Sequence, residues 1–298
     1  MRIFVTGSTG WIGSAAVAEL LRSGHEVVGL ARSDASVAKL ERAGAEALTG
    51  DLDDLVSLRD GSRSCDGVVH LANKHDWAHP AENNRTERAA VETILDALDG
   101  STKPFIIANG LSGLVDSWPA TEMDASPEVG PGADRGGSEN LALSATTRGI
   151  RSVAMRFAPS VHGRGDWGFV NWLAAAARRT GVSGYIGDGG SAWSAVHVSD
   201  AGQLIRLALE KAPAGVRLHA VAEGSISTRA IAQALGRAMN LPVTSIDPED
   251  APDHFGVVAH FFAETMTASN VFTRETLGWQ PSGPTLVEDI LAGGYSTD

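Results

Sequence analysis

Two patterns of apolar and polar positions alternate along the first third of the chain. Short runs of nearly continuous apolar residues, "RIFVT" (2–6), "EVVGLA" (26–31), "GVVHLA" (67–72) and "PFIIA" (104–108), predict strands buried on both faces. Between them, "WIGSAAVAELLRSG" (11–24) has helical spacing and ends in glycine, and a longer helical pattern covers 85–98. Such strands alternating with helices predict an α/β fold, a doubly wound parallel sheet covered by helices on both faces. After about residue 158 the pattern loosens into Gly-rich turns and isolated helices. That part is expected to form a smaller lobe beside the carboxyl ends of the strands, where such sheets bind ligands.

Composition narrows the partners. The 298 residues carry a formal net charge of -12, and Lys and Arg are scattered, which argues against nucleic acid or an anionic membrane. Cys65 is the only cysteine, so no disulfide forms within the chain and nothing points to an oxidising compartment. The strand pattern starts at Met1, and no apolar run is long enough to span a bilayer. The expectation is a cytoplasmic protein, monomer or homodimer, acting on a small molecule.

The most informative motif joins the first strand to the first helix: "VTGSTGWIGS". Gly7 suits a tight turn, Gly10 the close approach of a pyrophosphate, and Gly13 close packing of helix on strand. The amides around Thr9, Trp11 and Ile12, at the positive end of the helix, would face the phosphates. This predicts a dinucleotide site, with a Rossmann domain over 1–160. The substrate lobe would take most of 161–298, with the 193–211 segment returning to the Rossmann sheet. An NAD site wants a carboxylate at the end of the second strand; here the position is Ala31, followed by Arg32 and Ser33. A missing acid, a planar cation and a hydroxyl favour the 2′-phosphate of NADP(H) over NAD(H). In "TGDLDD" (49–54), Asp51 is placed to bond the adenine amino group, or to cap a helix, and Leu52 to pack on the ring.

"TGxxGxxG", "GDLDD", "VVHLAN", "MRFAPSVHGRGD", "WSAVHVSDAG" and "LGWQP" together resemble the extended and atypical branches of the short-chain dehydrogenase/reductase family, from residue 6 to about 290. The resemblance implies that Leu71, Ala72 and Asn73 pass under the cofactor. It also puts Ala108 and Asn109 at the end of the fifth strand beside the cofactor, and Pro159, Ser160 and Val161 at the nicotinamide. The family's chemistry rests on a Ser or Thr after the fifth strand and a Tyr-x-x-x-Lys pair. Aligned by motif, these positions fall on Gly110, Arg135 and Glu139, so the usual Tyr mechanism is not available.

The candidates that replace it are polar groups near the same edge. Arg135 and Glu139, four apart, are expected on one side of a helix over 135–148, either facing the cofactor or forming a surface ion pair. Arg135 can polarise an oxygen but cannot donate a proton. Glu139 would hold Arg135 or bond the nicotinamide ribose. "NKHDWAHPAENN" (73–84) concentrates His75, Asp76, Trp77 and His79; an Asp beside a His suits general acid chemistry, and a solvated polar loop is the alternative. His162 is a further candidate donor by position, and Ser112 a hydrogen-bond donor to a substrate oxygen. No metal site is expected. Trp167, Trp172, Trp193 and "HFGVVAHFF" (254–262) would either wall an apolar substrate or belong to the core.

These expectations favour an atypical NADPH-dependent oxidoreductase that reduces a C=O or C=N bond of a small, fairly apolar molecule. A non-catalytic NAD(P)-binding sensor is the alternative. A nucleotide-sugar epimerase or dehydratase ranks third, because that chemistry relies on the missing Tyr and because acidic residues outnumber basic ones over 161–298.

Overall fold

The computed structural model describes residues 1–76 and 78–295; Trp77, named above in the polar loop, and 296–298 lie outside the described residues. Five strands and four helices alternate first: β1 Arg2–Thr6, α1 Trp11–Arg22, β2 Glu26–Ala31, α2 Asp34–Ala43, β3 Glu46–Thr49, α3 Leu55–Ser64, β4 Gly67–His70, α4 Pro80–Ala97 and β5 Pro104–Asn109. After an irregular stretch come α5 Ser138–Ser144, β6 Arg151–Phe157 and β7 Ser160–His162. The chain continues with α6 Phe169–Thr180, β8 Ser183–Ile186, β9 Ala192–His197, α7 Val198–Lys211, β10 Arg217–Ala220, β11 Glu223–Ser227, α8 Thr228–Met239 and β12 Val243–Ile246.

The main sheet has seven strands in the order β10-β6-β5-β4-β1-β2-β3, all parallel. The apolar runs are continuous because both faces are covered. In β1, Ile3 and Val5 join the core cluster that includes Val17 and Leu20 of α1 and Leu204 and Ile205 of α7. Phe4, between them in sequence, joins Leu58 of α3 and Val91 and Ile94 of α4 on the other face. Each such fully buried side chain contributes about 1.5–3 kcal/mol. The strand order reverses at β1, so the crevice for a ligand opens where the chain leaves β1 and β4.

The lobe carries its own sheets, β11-β9-β7 and β12-β8, over a second core containing Leu173, Trp193, Leu235, Phe255 and Phe262. The strand over 192–197 pairs with β7 and β11, so the chain's return to the main sheet is made by α7, packed on α1, and by β10 at the edge beside β6. Trp193 is wholly buried and donates from Nε1 to the Phe261 carbonyl oxygen at 3.0 Å, which makes it core. Among the described residues, no helix is long and apolar enough to cross a membrane.

Candidate active site

The Gly-rich turn is built by close approach. Gly7 has φ +65°, and a Cβ there would lie 2.7 Å from the Ala72 amide nitrogen. A Cβ on Gly13 would lie 1.9 Å from the Gly7 carbonyl oxygen. Only glycine lets β1, the loop after β4 and the start of α1 meet in this way. The Thr6 hydroxyl oxygen accepts from the Ala72 amide at 3.2 Å and joins the two loops. No side chain caps α1, and among the described residues, apart from its chain neighbours, a Cβ on Gly10 would meet only the Gly7 oxygen, at 3.1 Å. The residues therefore fit an anion: helix amides without a side-chain partner, at the positive end of a dipole. Trp11 donates from Nε1 to the Val161 carbonyl oxygen at 2.7 Å, linking this turn to β7, with Pro159 and Ser160 just before Val161.

At the end of β2, Ala31 is buried, while Arg32 and Ser33 are exposed. Ser33 accepts from the Ser36 amide at 3.3 Å and caps α2, leaving Arg32 directly before the cap. Lys39, which the sequence reading missed, donates from Nζ to the Thr9 carbonyl oxygen at 2.8 Å. A second cation thus reaches from α2 to the Gly-rich turn. Its signal was faint, an exposed Lys on the helix face shared with Ser36. Asp51 accepts from the amides of Asp53 and Asp54 at 2.9 and 3.1 Å and closes a turn; the cap of α3 is Asp54. Leu52 is buried beside it.

Arg135 does not sit on the helix. Arg135, Gly136 and Gly137 all have φ between 52° and 63°, a left-handed turn that delivers the chain into α5 at Ser138. For an arginine this conformation costs about 1–2 kcal/mol, so something must hold it. The face of α4 at 84, 87 and 88 does. Asn84 Oδ1 accepts from the Arg135 amide at 2.8 Å, Arg88 Nη1 donates to the Gly136 carbonyl at 3.0 Å, and Glu87 Oε1 accepts from Arg135 Nη2 at 2.8 Å. Glu87 is only 1% exposed. Burial alone would raise its carboxyl pKa, but the Arg135 guanidinium and the His70 ring outweigh this and hold it down at about 2. His70 spends Nδ1 on the Thr6 hydroxyl at 2.9 Å and turns Nε2 to within 3.7 Å of Glu87.

His75 joins this group. Its backbone has φ 51°, and Asn73 Oδ1 accepts from its amide at 2.9 Å. The residue keeps an exposed surface, yet the protein around the ring removes enough water to lower its pKa; Arg135 adds to that lowering and Glu87 opposes it. Glu87, which sequence reasoning missed, joins the two segments: it accepts from Arg135 Nη2 at 2.8 Å and from Asn73 Nδ2 at 3.5 Å. Glu87 lies in the middle of an amphipathic helix, where a glutamate ordinarily faces water.

Glu139 goes elsewhere, which corrects the expectation that it would hold Arg135. Glu139 is buried and takes Arg156 through Nε at 3.0 Å and Nη2 at 2.5 Å, Arg217 Nε at 3.1 Å and Asn109 Nδ2 at 2.6 Å. Burial opposes ionisation, but these donors hold its pKa below the usual range. Asn109 and Ala108 end β5, so Glu139 braces that strand end. Nor is 135–148 one helix: α5 spans Ser138–Ser144, and a 3-10 turn covers Ala145–Arg148.

Ser112 donates to Glu264 Oε2 at 2.9 Å, and Gly113 N donates to Oε1 at 3.1 Å, tying the loop after β5 to the lobe. His162 is fully buried, with Nδ1 3.0 Å from Asp289 Oδ2 and its ring against His197; the structure holds it in the lobe's interior rather than at a free surface. His79 pairs with Asp76 at 2.9 Å on the exposed loop. Of the tyrosines, Tyr295 is buried and donates to Asp166, and the Tyr185 ring lies under the Arg229 guanidinium.

Comparison with known proteins agrees with this fold. Residues 3–113 match the NAD dependent epimerase/dehydratase family. An uncharacterized protein of Saccharomyces cerevisiae, YLL056C, is 42% identical over 294 residues, covering 98% of each chain. A 4-hydroxy-2-methyl-3-oxo-4-farnesyl-3,4-dihydroquinoline-1-oxide ketoreductase of Stigmatella aurantiaca is 29% identical over 72% of this chain and 66% of its own. Among solved structures, a dTDP-glucose 4,6-dehydratase double mutant from Streptomyces venezuelae, with NAD bound, shares the fold at a TM-score of 0.78 and 20% identity, covering 99% of this chain and 96% of that one. With its seven-stranded parallel sheet and Gly-rich turn, the chain belongs to the NAD-dependent epimerase/dehydratase family, in the extended branch of the short-chain dehydrogenases/reductases.

Proposed function

We propose that the protein is an NADPH-dependent reductase of a C=O or C=N bond in a small, fairly apolar molecule, working without a tyrosine acid. The observation that carries this reading is that Glu87 ties Arg135 to the loop after β4: it accepts from Arg135 at 2.8 Å and from Asn73 at 3.5 Å, and Asn73 in turn accepts from the His75 amide. A nicotinamide dinucleotide bound in that cradle supplies the hydride. Arg135 donates a hydrogen bond to the substrate oxygen and stabilises the charge that grows there. His75 returns the proton. Ser112, Glu139 and His162 serve at one remove, through the contacts described above. The 2′-phosphate preference is supported by Arg32 and Lys39 flanking a strand end that lacks a carboxylate. Phe169, Trp172 and Phe261, ring to ring at 5.6 and 4.7 Å, offer an apolar wall in the lobe.

The lowered His75 pKa separates the two bonds. A ketone needs the proton, so its reduction should slow as pH rises through a value below the usual histidine range. An iminium already carries its proton and should show no such limb. The test is NADPH consumption against ketones, aldehydes and cyclic imines, with NADH in parallel. Turnover of one class with NADPH supports the reading. Tight NADPH binding without consumption would favour a non-catalytic dinucleotide sensor. Interconversion of nucleotide sugars without net NADPH loss would favour the epimerase class.

A further inference from the structure

We propose that Glu87 is the positioning residue of this site: through a buried ion pair it holds Arg135 in one orientation and balances its charge beside His75. The proposal rests on the reading of Arg135 and His75 as substrate-facing groups. Three observations carry it. First, Glu87 makes no capping contact; its one short partner among the described residues is Arg135 Nη2 at 2.8 Å, while Ser138 Oγ and Asn73 Nδ2 approach to 3.5 Å and His70 Nε2 to 3.7 Å. Burying a carboxylate for one cation is a poor way to stabilise a fold, since apolar residues of similar volume do as well or better. Second, the grip is directional. Asn84, Glu87 and Arg88 occupy one face of α4 and fix the backbone and the guanidinium of the same left-handed turn. Arg135 Nε is buried with no hydrogen-bond partner, so Glu87 at Nη2 is the contact that fixes the guanidinium's orientation.

Third, the surrounding charges are spent among themselves. Lys74 pairs with Asp53 at 2.8 Å and faces Glu82 at 3.8 Å, His79 pairs with Asp76, and Arg88 pairs with Glu92 at 2.8 Å. His70 is turned to Glu87 by its bond to Thr6. Glu87 and Arg135 then act on the adjoining His75 with opposite signs, through the loop that Asn73 ties to Glu87. Without Glu87, an uncompensated Arg135 would drive the proton off His75 and leave the guanidinium free to swing.

The test is the ring titration of His75, followed by NMR on the full chain, in the wild type, Glu87→Gln and Arg135→Gln. The expected result is a fall of about half a unit or more in the His75 pKa for Glu87→Gln and a rise of similar size for Arg135→Gln. Titrations that coincide in all three proteins would overturn the proposal. Should Glu87→Gln not fold, Glu87→Asp carries the test with Arg135→Gln: Arg135 loses its fixed geometry, so His75 must shift, and an unmoved His75 in both counts against it. On a ketone that the wild type reduces, Glu87→Gln should lower kcat about tenfold or more and leave NADPH affinity unchanged. The Glu87→Gln/Arg135→Gln pair should then be no slower than Arg135→Gln alone. Additive losses would assign Glu87 a role separate from Arg135. A wild type that reduces nothing would sink the reductase reading, while the titration would still decide the role of Glu87.

Discussion

A single methyl group at position 13 would lie 1.9 Å from the Gly7 carbonyl oxygen, so Gly13→Ala must push α1 off the turn it packs against. The expected stability loss is about 1–3 kcal/mol, typical of overpacking, read by urea denaturation. Cofactor binding should fall with it, because the same helix end faces the phosphates. The cations at the other end of the cofactor act by charge. Arg32→Ala and Lys39→Ala should each weaken NADPH binding about ten- to a hundredfold, the worth of one charge-assisted hydrogen bond, and leave NADH binding nearly unchanged. Fluorescence titration with both cofactors decides it, and equal losses would remove the 2′-phosphate assignment.

At the scale of elements, α5 shows what periodicity conveys and what it omits. β1, β2 and β5 were readable because strands covered on both faces have no polar register to confuse them, and the Gly spacing marked the turn after β1 directly. The turn at Arg135 was not readable. Its conformation is rare for arginine and is imposed by Asn84, Glu87 and Arg88, about fifty residues earlier in the chain. The i, i+4 pattern of Arg135 and Glu139 suggested a shared helix face, but the left-handed turn separates them. Glu139 is left to neutralise Arg156 on β6 and Arg217 on β10. Glu139→Gln should therefore act as a stability variant, leaving Arg156 buried without its counter-ion at about 3–5 kcal/mol, as seen in urea melts. A Glu139→Gln protein of native stability with lost turnover would return Glu139 to the active site.

For the whole molecule, the buried titratable groups set how stability depends on pH. The ring pKa values of His162 and His219 are both lowered, chiefly by burial. A histidine with a depressed folded pKa is neutral in both states above its unfolded value; below it, the unfolded chain takes the proton first. Stability present above about 6.5 is then lost as pH falls towards the folded pKa values. Glu87, held at about 2, and Glu139 are also lowered, and their stability is lost in a second window, below about 4.5. Asp166 and Glu223 run the other way: burial raises both, so they favour the folded state at acid pH and lose that contribution as pH rises through their folded values. Their contribution opposes the carboxylate losses and fades upward from the usual carboxylate range to the raised folded values. The melting temperature should therefore begin to fall just below pH 6.5, before Glu87 and Glu139 take up protons. His162→Asn keeps a polar group near Asp289 but cannot ionise, so it should flatten the decline that starts below about pH 6.5 while lowering stability at neutral pH. A decline of unchanged slope in His162→Asn would assign the upper window to the other buried histidines.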